Sequence, residues 1–135
     1  MPPNAGDGLS DMEFETPQFD LTEEDLDERT SVVAVRGEIH VTTAPEFSER
    51  LNCVIEKGRT QLILDLSQVE FIDSTGLSVL LNGLRSVTRA EGRMALVCSN
   101  PTVLRLFEIT KLDSTFDIRA TRDEALASIR GEAAA

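Results

Sequence analysis

The feature that most constrains the fold is an alternation of strand patterns with amphipathic helix patterns from residue 31 onward. Aliphatic and β-branched residues, which are typical of buried strands, cluster in four segments. These segments are Ser31–Val35, Gln61–Leu66, Arg93–Cys98 and Ser114–Arg119. Strands that alternate with helices form right-handed βαβ units. The sequence therefore predicts an α/β domain with a largely parallel sheet.

Four helices are predicted between and after these strands. Thr43–Glu46 reads as a capping box with proline in the first turn, and Thr121 with Glu124 reads as a second one. Apolar residues then repeat at helical spacing in each segment. The four helices are predicted to begin at Thr43, Ser74, Asn100 and Thr121.

The domain boundaries follow from composition. The chain has 135 residues, which suffices for one domain with a real core. Residues 1–18 are rich in Pro, Gly, Asp and Glu without periodicity, so we predict a disordered acidic N-terminal tail. The domain is expected to span residues 19–130, with 131–135 as a flexible C-terminal tail. Phe19–Leu26 is predicted to begin with a short edge strand.

The net charge of −11 is unevenly distributed. Residues 1–28 contain ten Asp and Glu and no Lys or Arg, whereas the rest of the chain is nearly neutral. We interpret residues 1–28 as a solvated acidic leader. No basic stripe with interleaved aromatic residues offsets this charge, so direct binding to nucleic acid is not expected.

The sequence also indicates where the protein functions. No apolar run approaches the ~20 residues of a membrane-spanning helix, and the N-terminus lacks the pattern of a secretory signal. Cys53 and Cys98 are isolated and suggest neither a disulfide framework nor a metal site. A reduced, cytoplasmic protein without metal or cofactor is the expectation.

The segment EFIDSTGLSVLLNGL, residues 70–84, places Ser74 at the junction of a strand and the second helix. Serine is a preferred N-cap, so Ser74 could serve only to start the helix. A helix N-terminus also offers free N–H groups and a positive dipole end, which accommodate a phosphate. A phosphate at Ser74 would add about −1.5 to −2 charges beside Asp73 and so disrupt a contact without unfolding the domain. Local sequence leaves both roles open.

A catalytic role for Ser74 is the third possibility. A nucleophilic serine needs a base and an oxyanion hole. The chain has one histidine, His40, and no G-x-S-x-G elbow or glycine-rich phosphate loop. A serine hydrolase that uses Ser74 and His40 together is therefore a distant alternative, and no catalytic residue is predicted.

Three blocks of the sequence resemble one known family. VVAVRGEIHVTTAPEF, FIDSTGLSVLL and NPTVLRLFEITKL occur in the order seen in STAS domains, specifically bacterial anti-sigma factor antagonists. The similarity covers roughly residues 19 to 130. It implies a mixed, mostly parallel sheet of four to five strands with about four helices, whose first strand is an antiparallel edge.

The resemblance also implies a function. Such antagonists bind an anti-sigma factor that is a serine kinase, and this binding releases the sigma factor. The kinase phosphorylates the antagonist and ends the binding, and a PP2C-type phosphatase restores it. No enzymatic activity is expected of the antagonist itself. A signalling scaffold of the same family with a different partner is the alternative.

Carried over to this chain, the family motif makes Ser74 the phosphoacceptor. Gly76 would allow close approach, and Gly37 would belong to the facing loop. The family usually has Asp where this chain has His40, and we hypothesise that protonated His40 pairs with phosphorylated Ser74. The residues expected to bind the partner are Glu38, His40, Thr42, Thr43, Asp73, Ser74, Thr75, Gly76 and Ser78.

Overall fold

The structure, a computed structural model, describes residues 19–131. The predicted tail of residues 1–18, and residues 132–135, lie outside this range. The elements are β1 (Phe19–Asp25), β2 (Thr30–Ile39), α1 (Ala44–Glu56), β3 (Gln61–Ile72), α2 (Ser74–Arg89), β4 (Arg93–Val97), α3 (Pro101–Ile109), β5 (Asp117–Arg119) and α4 (Arg122–Ile129).

The five strands form one sheet in the order β1-β2-β3-β4-β5. Strand β1 is antiparallel to β2, and the remaining pairs are parallel. Helices α1, α2 and α3 pack on one face of the sheet, and α4 packs on the other. The predicted mixed sheet with an antiparallel first strand and four helices is confirmed.

The core lies mainly between the sheet and helices α1 to α3. Phe47, Leu80 and Phe107 are completely buried there. A smaller core under α4 joins Ala125 and Ile129 of the helix to Val32, Ile63, Ala95 and Val97 of the sheet. Strand β3 contributes to both cores, which explains why residues 62–64 are all apolar and do not alternate.

Strands β2 and β3 are longer than the sequence predicts. Strand β2 continues to Ile39 through two register shifts against β3, one of them beside Gly37, whose φ is 101°. Strand β3 continues to Ile72. Residues 36–39 and 67–72 therefore continue the two strands, because bulges interrupt the alternation that identifies a strand in sequence. At the other extreme, β5 comprises three residues, half the predicted length.

The interpretation of residues 1–28 as one solvated leader is wrong for residues 19–28. Strand β1 buries Leu21, and five of the six carboxylates between residues 19 and 28 pair with cations from other elements. We call these five ion pairs the charged seam: Asp20–Arg36 at 3.2 Å, Glu23–Lys57 at 2.9 Å, Glu24–Arg122 at 3.7 Å, Asp25–Arg59 at 3.1 Å and Asp27–Arg130 at 3.4 Å.

Helix α4 is also fixed by a buried carboxylate. Asp65 of β3 accepts hydrogen bonds from Arg122 Nε at 2.6 Å and from the hydroxyl and backbone N–H of Ser67 at 2.6 and 3.0 Å. Burial opposes ionisation of Asp65, but the bonds from Ser67 and Arg122 outweigh it and hold the pKa of Asp65 below its ordinary value. Arg122 thus joins α4 to both β1 and β3.

Candidate functional site

Ser74 lies at the meeting point of two strand ends and a helix start. Only Asp73 separates the end of β3 at Ile72 from the first residue of α2, and the backbone N–H of Asp73 donates to Ile39 O at 3.0 Å. Ser74 is exposed. Within residues 19–131 its hydroxyl makes no hydrogen bond, while its carbonyl accepts one from the Ser78 hydroxyl at 3.1 Å.

Asp73, not Ser74, caps helix α2. The Asp73 side chain accepts from the backbone N–H of Gly76 at 3.0 Å, the geometry of an N-cap. Ser74 is consequently the first residue inside the helix. Its hydroxyl is not needed to start the helix, which removes the capping role that the local sequence left open.

Gly76 fits the first turn of α2 tightly against the sheet. A Cβ at this position would lie 2.7 Å from side-chain carbons of both Ile39 and Ile72, and 3.1 Å from the Ile39 carbonyl oxygen. Such carbon contacts are too close for any real side chain. The close approach that Gly76 permits is therefore internal, between the helix and the ends of β2 and β3.

Thr43 is a turn-forming residue. It is buried, and its hydroxyl donates to Glu38 O at 2.8 Å and accepts from the backbone N–H of His40 at 3.0 Å. These bonds occupy the hydroxyl, so Thr43 makes no side-chain cap on α1 and the capping box predicted there is wrong. Its neighbour Thr42 is exposed.

His40 is engaged within the same turn. Its Nδ1 accepts from the backbone N–H of Thr42 at 3.2 Å, and its Nε2 lies 3.4 Å from a carboxylate oxygen of Glu38. The ring centroid is 6.4 Å from that of Phe71. Because both ring nitrogens already face groups of this turn, the geometry lends no support to the hypothesis that His40 pairs with phosphorylated Ser74.

Two exposed apolar residues of this region are absent from the sequence prediction. Val41 is 68% exposed and Phe71 is 46% exposed. A signal for Phe71 was present, because adjacent Phe71 and Ile72 cannot both face the same side of a sheet. Ile72 is the buried one of the two.

The structure brings all the predicted site residues to one end of the sheet. We call the region formed by residues 38–43 and 70–78 the Ser74 surface. Its charged side chains are the carboxylates of Glu38, Glu70 and Asp73, and it contains no Lys or Arg. An anion at Ser74 would therefore find helix N–H groups but no cationic side chain from these residues.

Residues 19–131 match neither the features of a metal site nor those of a membrane-spanning helix. No group of three or more His, Cys, Asp or Glu in this range is arranged to hold a metal ion. No helix of the same range is long and apolar enough to cross a membrane.

The chain is similar to known proteins over almost the whole of this domain. The STAS domain family model matches residues 22–125. The anti-sigma-B factor antagonist of Listeria monocytogenes is 33% identical over 106 residues, which are 78% of this chain and 91% of that protein. The anti-sigma-F factor antagonist RsfB of Mycobacterium tuberculosis is 31% identical over 101 residues, 75% of this chain and 82% of RsfB.

A solved structure gives the same result. The crystal structure of an anti-sigma factor antagonist from Mycobacterium paratuberculosis superposes with a TM-score of 0.78 at 34% identity. The match covers 87% of this chain and 99% of that chain. Fold and sequence thus point to the same group of regulatory proteins.

Proposed function

The chain belongs to the STAS domain family, and from this membership we propose that it is an anti-sigma factor antagonist controlled by phosphorylation of Ser74. Its partner is an anti-sigma factor that is also a serine kinase, and binding to this kinase releases the sigma factor. Phosphorylation of Ser74 ends the binding, and a PP2C-type phosphatase restores it. The names of the relatives support the antagonist role.

The observation that carries the proposal is that the residue that caps α2 is not the residue whose hydroxyl is exposed. Asp73 provides the cap, while the Ser74 hydroxyl is exposed and makes no hydrogen bond within residues 19–131. A kinase can therefore modify Ser74 without removing a bond that holds the helix. The phosphate would lie at the positive end of the helix dipole, where an anion is tolerated.

The surroundings of Ser74 support a loss of binding on phosphorylation. The phosphate would add about −1.5 to −2 charges next to the Asp73 carboxylate. No Lys or Arg of the Ser74 surface is available to neutralise it. In a close protein contact this charge would have to be desolvated, which is costly, so the modified protein would be released while its fold persists.

The geometry favours Ser74 over the neighbouring hydroxyls as the phosphoacceptor. Thr75 is half-buried, whereas Ser74 is exposed. Ser78 is exposed one turn later, but its hydroxyl donates to the Ser74 carbonyl. No base contacts Ser74 within residues 19–131, so the kinase and the phosphatase supply the chemistry and this chain acts as a binding protein.

The test uses the purified chain and the serine-kinase anti-sigma factors encoded in its own genome. Incubation with ATP followed by mass spectrometry should place one phosphate on Ser74. Ser74→Ala should bind the kinase and refuse phosphate, and Ser74→Glu should bind at least about tenfold more weakly than wild type. Thr88→Ala, which removes an exposed hydroxyl of α2 outside the Ser74 surface, is the matched control and should behave as wild type.

Two results would contradict the proposal. Equal affinity of Ser74→Glu and wild type for the kinase would show that charge at this position does not control binding. A wild-type chain that binds none of these kinases and takes no phosphate would favour the signalling scaffold with a different partner.

A further inference from the structure

Exposed large apolar side chains are few in this domain, and two of them share the Ser74 surface. Within residues 19–131 the exposed ones are Leu26, Val41, Phe71 and Ile109. Leu26 follows β1 at the opposite end of the sheet, and Ile109 is the last residue of α3. Val41 follows the end of β2 and Phe71 lies at the end of β3, at the end of the sheet where α2 begins.

The sheet register places Val41 and Phe71 at the same end of the sheet. Strands β2 and β3 pair Glu38 with Phe71 and Ile39 with Ile72. Ile39 and Ile72 turn inward and are buried, so Phe71 faces outward. The mostly buried His40 ring lies beside the ring of Phe71, which limits the positions that Phe71 can adopt.

We propose that Val41 and Phe71 are the apolar anchor of the Ser74 surface, and that the partner presents an apolar pocket bordered by Lys and Arg side chains. This inference rests on the proposed function and adds the chemistry of the contact to it. A few large apolar or aromatic side chains at the centre of an interface usually carry most of the binding energy.

The charge of the Ser74 surface indicates which side chains border the partner's pocket. Glu38, Glu70 and Asp73 surround the anchor in sequence and register, and the Ser74 surface contains no Lys or Arg. The start of β1 is at the same end, because Phe19 pairs with Gly37. A cationic partner surface is complementary to all of these charges.

A basic border is compatible with inhibition by phosphate at Ser74. Carboxylates at the rim of an interface stay partly hydrated and cost little to bring near cations. Ser74 is three residues after Phe71 in sequence and starts α2 at the same end of the sheet. A partner that covers this end would remove water from a phosphate at Ser74. The carboxylates at the rim therefore favour binding, whereas a phosphate at Ser74 opposes it.

The first experiment measures the affinity of anchor variants for the kinase that binds wild type in the experiment above. Phe71→Ala and Val41→Ser should each weaken binding by about tenfold or more, because each removes an anchor side chain. Ile109→Ala, at an equally exposed apolar residue far from Ser74, should bind within about twofold of wild type. Thermal unfolding followed by circular dichroism checks that the variants fold.

The outcomes separate the inference from the proposed function. Binding of both anchor variants within about twofold of wild type would overturn the anchor while leaving the proposed function intact. Failure of wild type itself to bind a kinase would instead count against the proposed function. Val41 is an exposed turn residue, so Val41→Ser keeps the test open if Phe71→Ala does not fold.

The second experiment tests the basic border through salt. Wild-type affinity should fall as sodium chloride is raised, because salt screens attraction between exposed charges. The double variant Glu38→Gln, Glu70→Gln should bind more weakly at low salt and depend less on salt. A wild-type affinity that is unchanged or rises with salt would overturn the basic border.

Discussion

The carboxylates of the charged seam have cationic partners, whereas those of the Ser74 surface have no Lys or Arg partner from that surface. In the seam, each of five carboxylates has a cationic partner from β2, from the segment between α1 and β3, or from α4 and the residue that follows it. On the Ser74 surface, three carboxylates have no Lys or Arg within residues 38–43 and 70–78, and two apolar side chains are exposed among them.

The difference separates structural from binding roles. Paired charges in the seam join the antiparallel edge strand β1 to elements that are distant in sequence. Carboxylates without a cationic partner beside exposed apolar side chains are typical of a surface that meets a partner. Substitutions in the seam should therefore change stability, and side-chain substitutions at the Ser74 surface should change binding.

The largest expected effect is on stability and concerns Gly76, where α2 packs against the ends of β2 and β3. Gly76→Ala should lower the free energy of unfolding by about 2–3 kcal/mol, because the added Cβ collides with Ile39 and Ile72. Urea denaturation measures this change. The control is Ser78→Ala, at an exposed residue of the same helix. Its free energy of unfolding should lie within about 0.5 kcal/mol of the wild-type value. Equal stability of Gly76→Ala and wild type would mean that the strand ends yield to the new side chain.

The next effect comes from Arg122 in the seam. Arg122→Ala should lower the free energy of unfolding by about 1–2 kcal/mol at pH 7, because the buried Asp65 loses a charged donor. Arg105→Ala, which removes an exposed arginine that forms no ion pair within residues 19–131, is the control. Kinase binding should be the same in both variants.

This effect should also depend on pH. The folded-state pKa of Asp65 is lowered, so its contribution is complete above the unfolded pKa of about 3.9 and is lost as the pH falls through the folded pKa. The difference between wild type and Arg122→Ala should therefore narrow below about pH 4. A difference that stays constant down to acid pH would show that Arg122 acts through packing alone.

A smaller effect separates the cap of α2 from the charge of the Ser74 surface. Asp73→Ala should cost about 1 kcal/mol of stability, because the N–H of Gly76 loses its acceptor. Asp73→Asn keeps a good cap and should have nearly wild-type stability, while removing one carboxylate from the surface. Urea denaturation of both variants would refute the assigned cap if Asp73→Ala were as stable as Asp73→Asn.

The smallest effect is expected for a single exposed pair of the seam. Lys57→Ala breaks the pair with Glu23 and should cost less than about 1 kcal/mol, with the loss reduced further at high salt. Lys111→Ala, at a lysine that forms no ion pair within residues 19–131, is the matched control. If Lys57→Ala weakened kinase binding as much as Phe71→Ala does, the division between seam and Ser74 surface would fail.

The sequence predicted the elements of the fold well and their ends less well. Strand β1 was expected only as a short segment at the start of Phe19–Leu26. Apolar spacing, together with capping signals, predicted the other strands and the four helices, because burial of one face imposes a fixed spacing of apolar residues. It ended β2 and β3 too early, since register shifts near Gly37 break that spacing. The seam was missed because an acidic segment reads as solvated when its cationic partners are up to 103 residues away in sequence.

The candidate site was predicted in outline. The motif around Ser74 led to the correct strand–helix junction, and the facing turn at residues 38–43 lies at the same end of the sheet as expected. Thr43 and Gly76 are buried, however, and serve the turn and the helix start. Val41 and Phe71 were not predicted, because exposure depends on which neighbouring element covers a side chain.

The sequence by itself determined the fold class, the order of elements and the position of Ser74 at a helix start, because these follow from local spacing and local motifs. Only the tertiary structure decided that Asp73 is the cap, that the Ser74 hydroxyl is exposed, and that Val41 and Phe71 are exposed at the same end of the sheet. The last of these depends on the pairing of β2 with β3, which aligns residues more than 30 positions apart. The local sequence pattern does not specify this pairing.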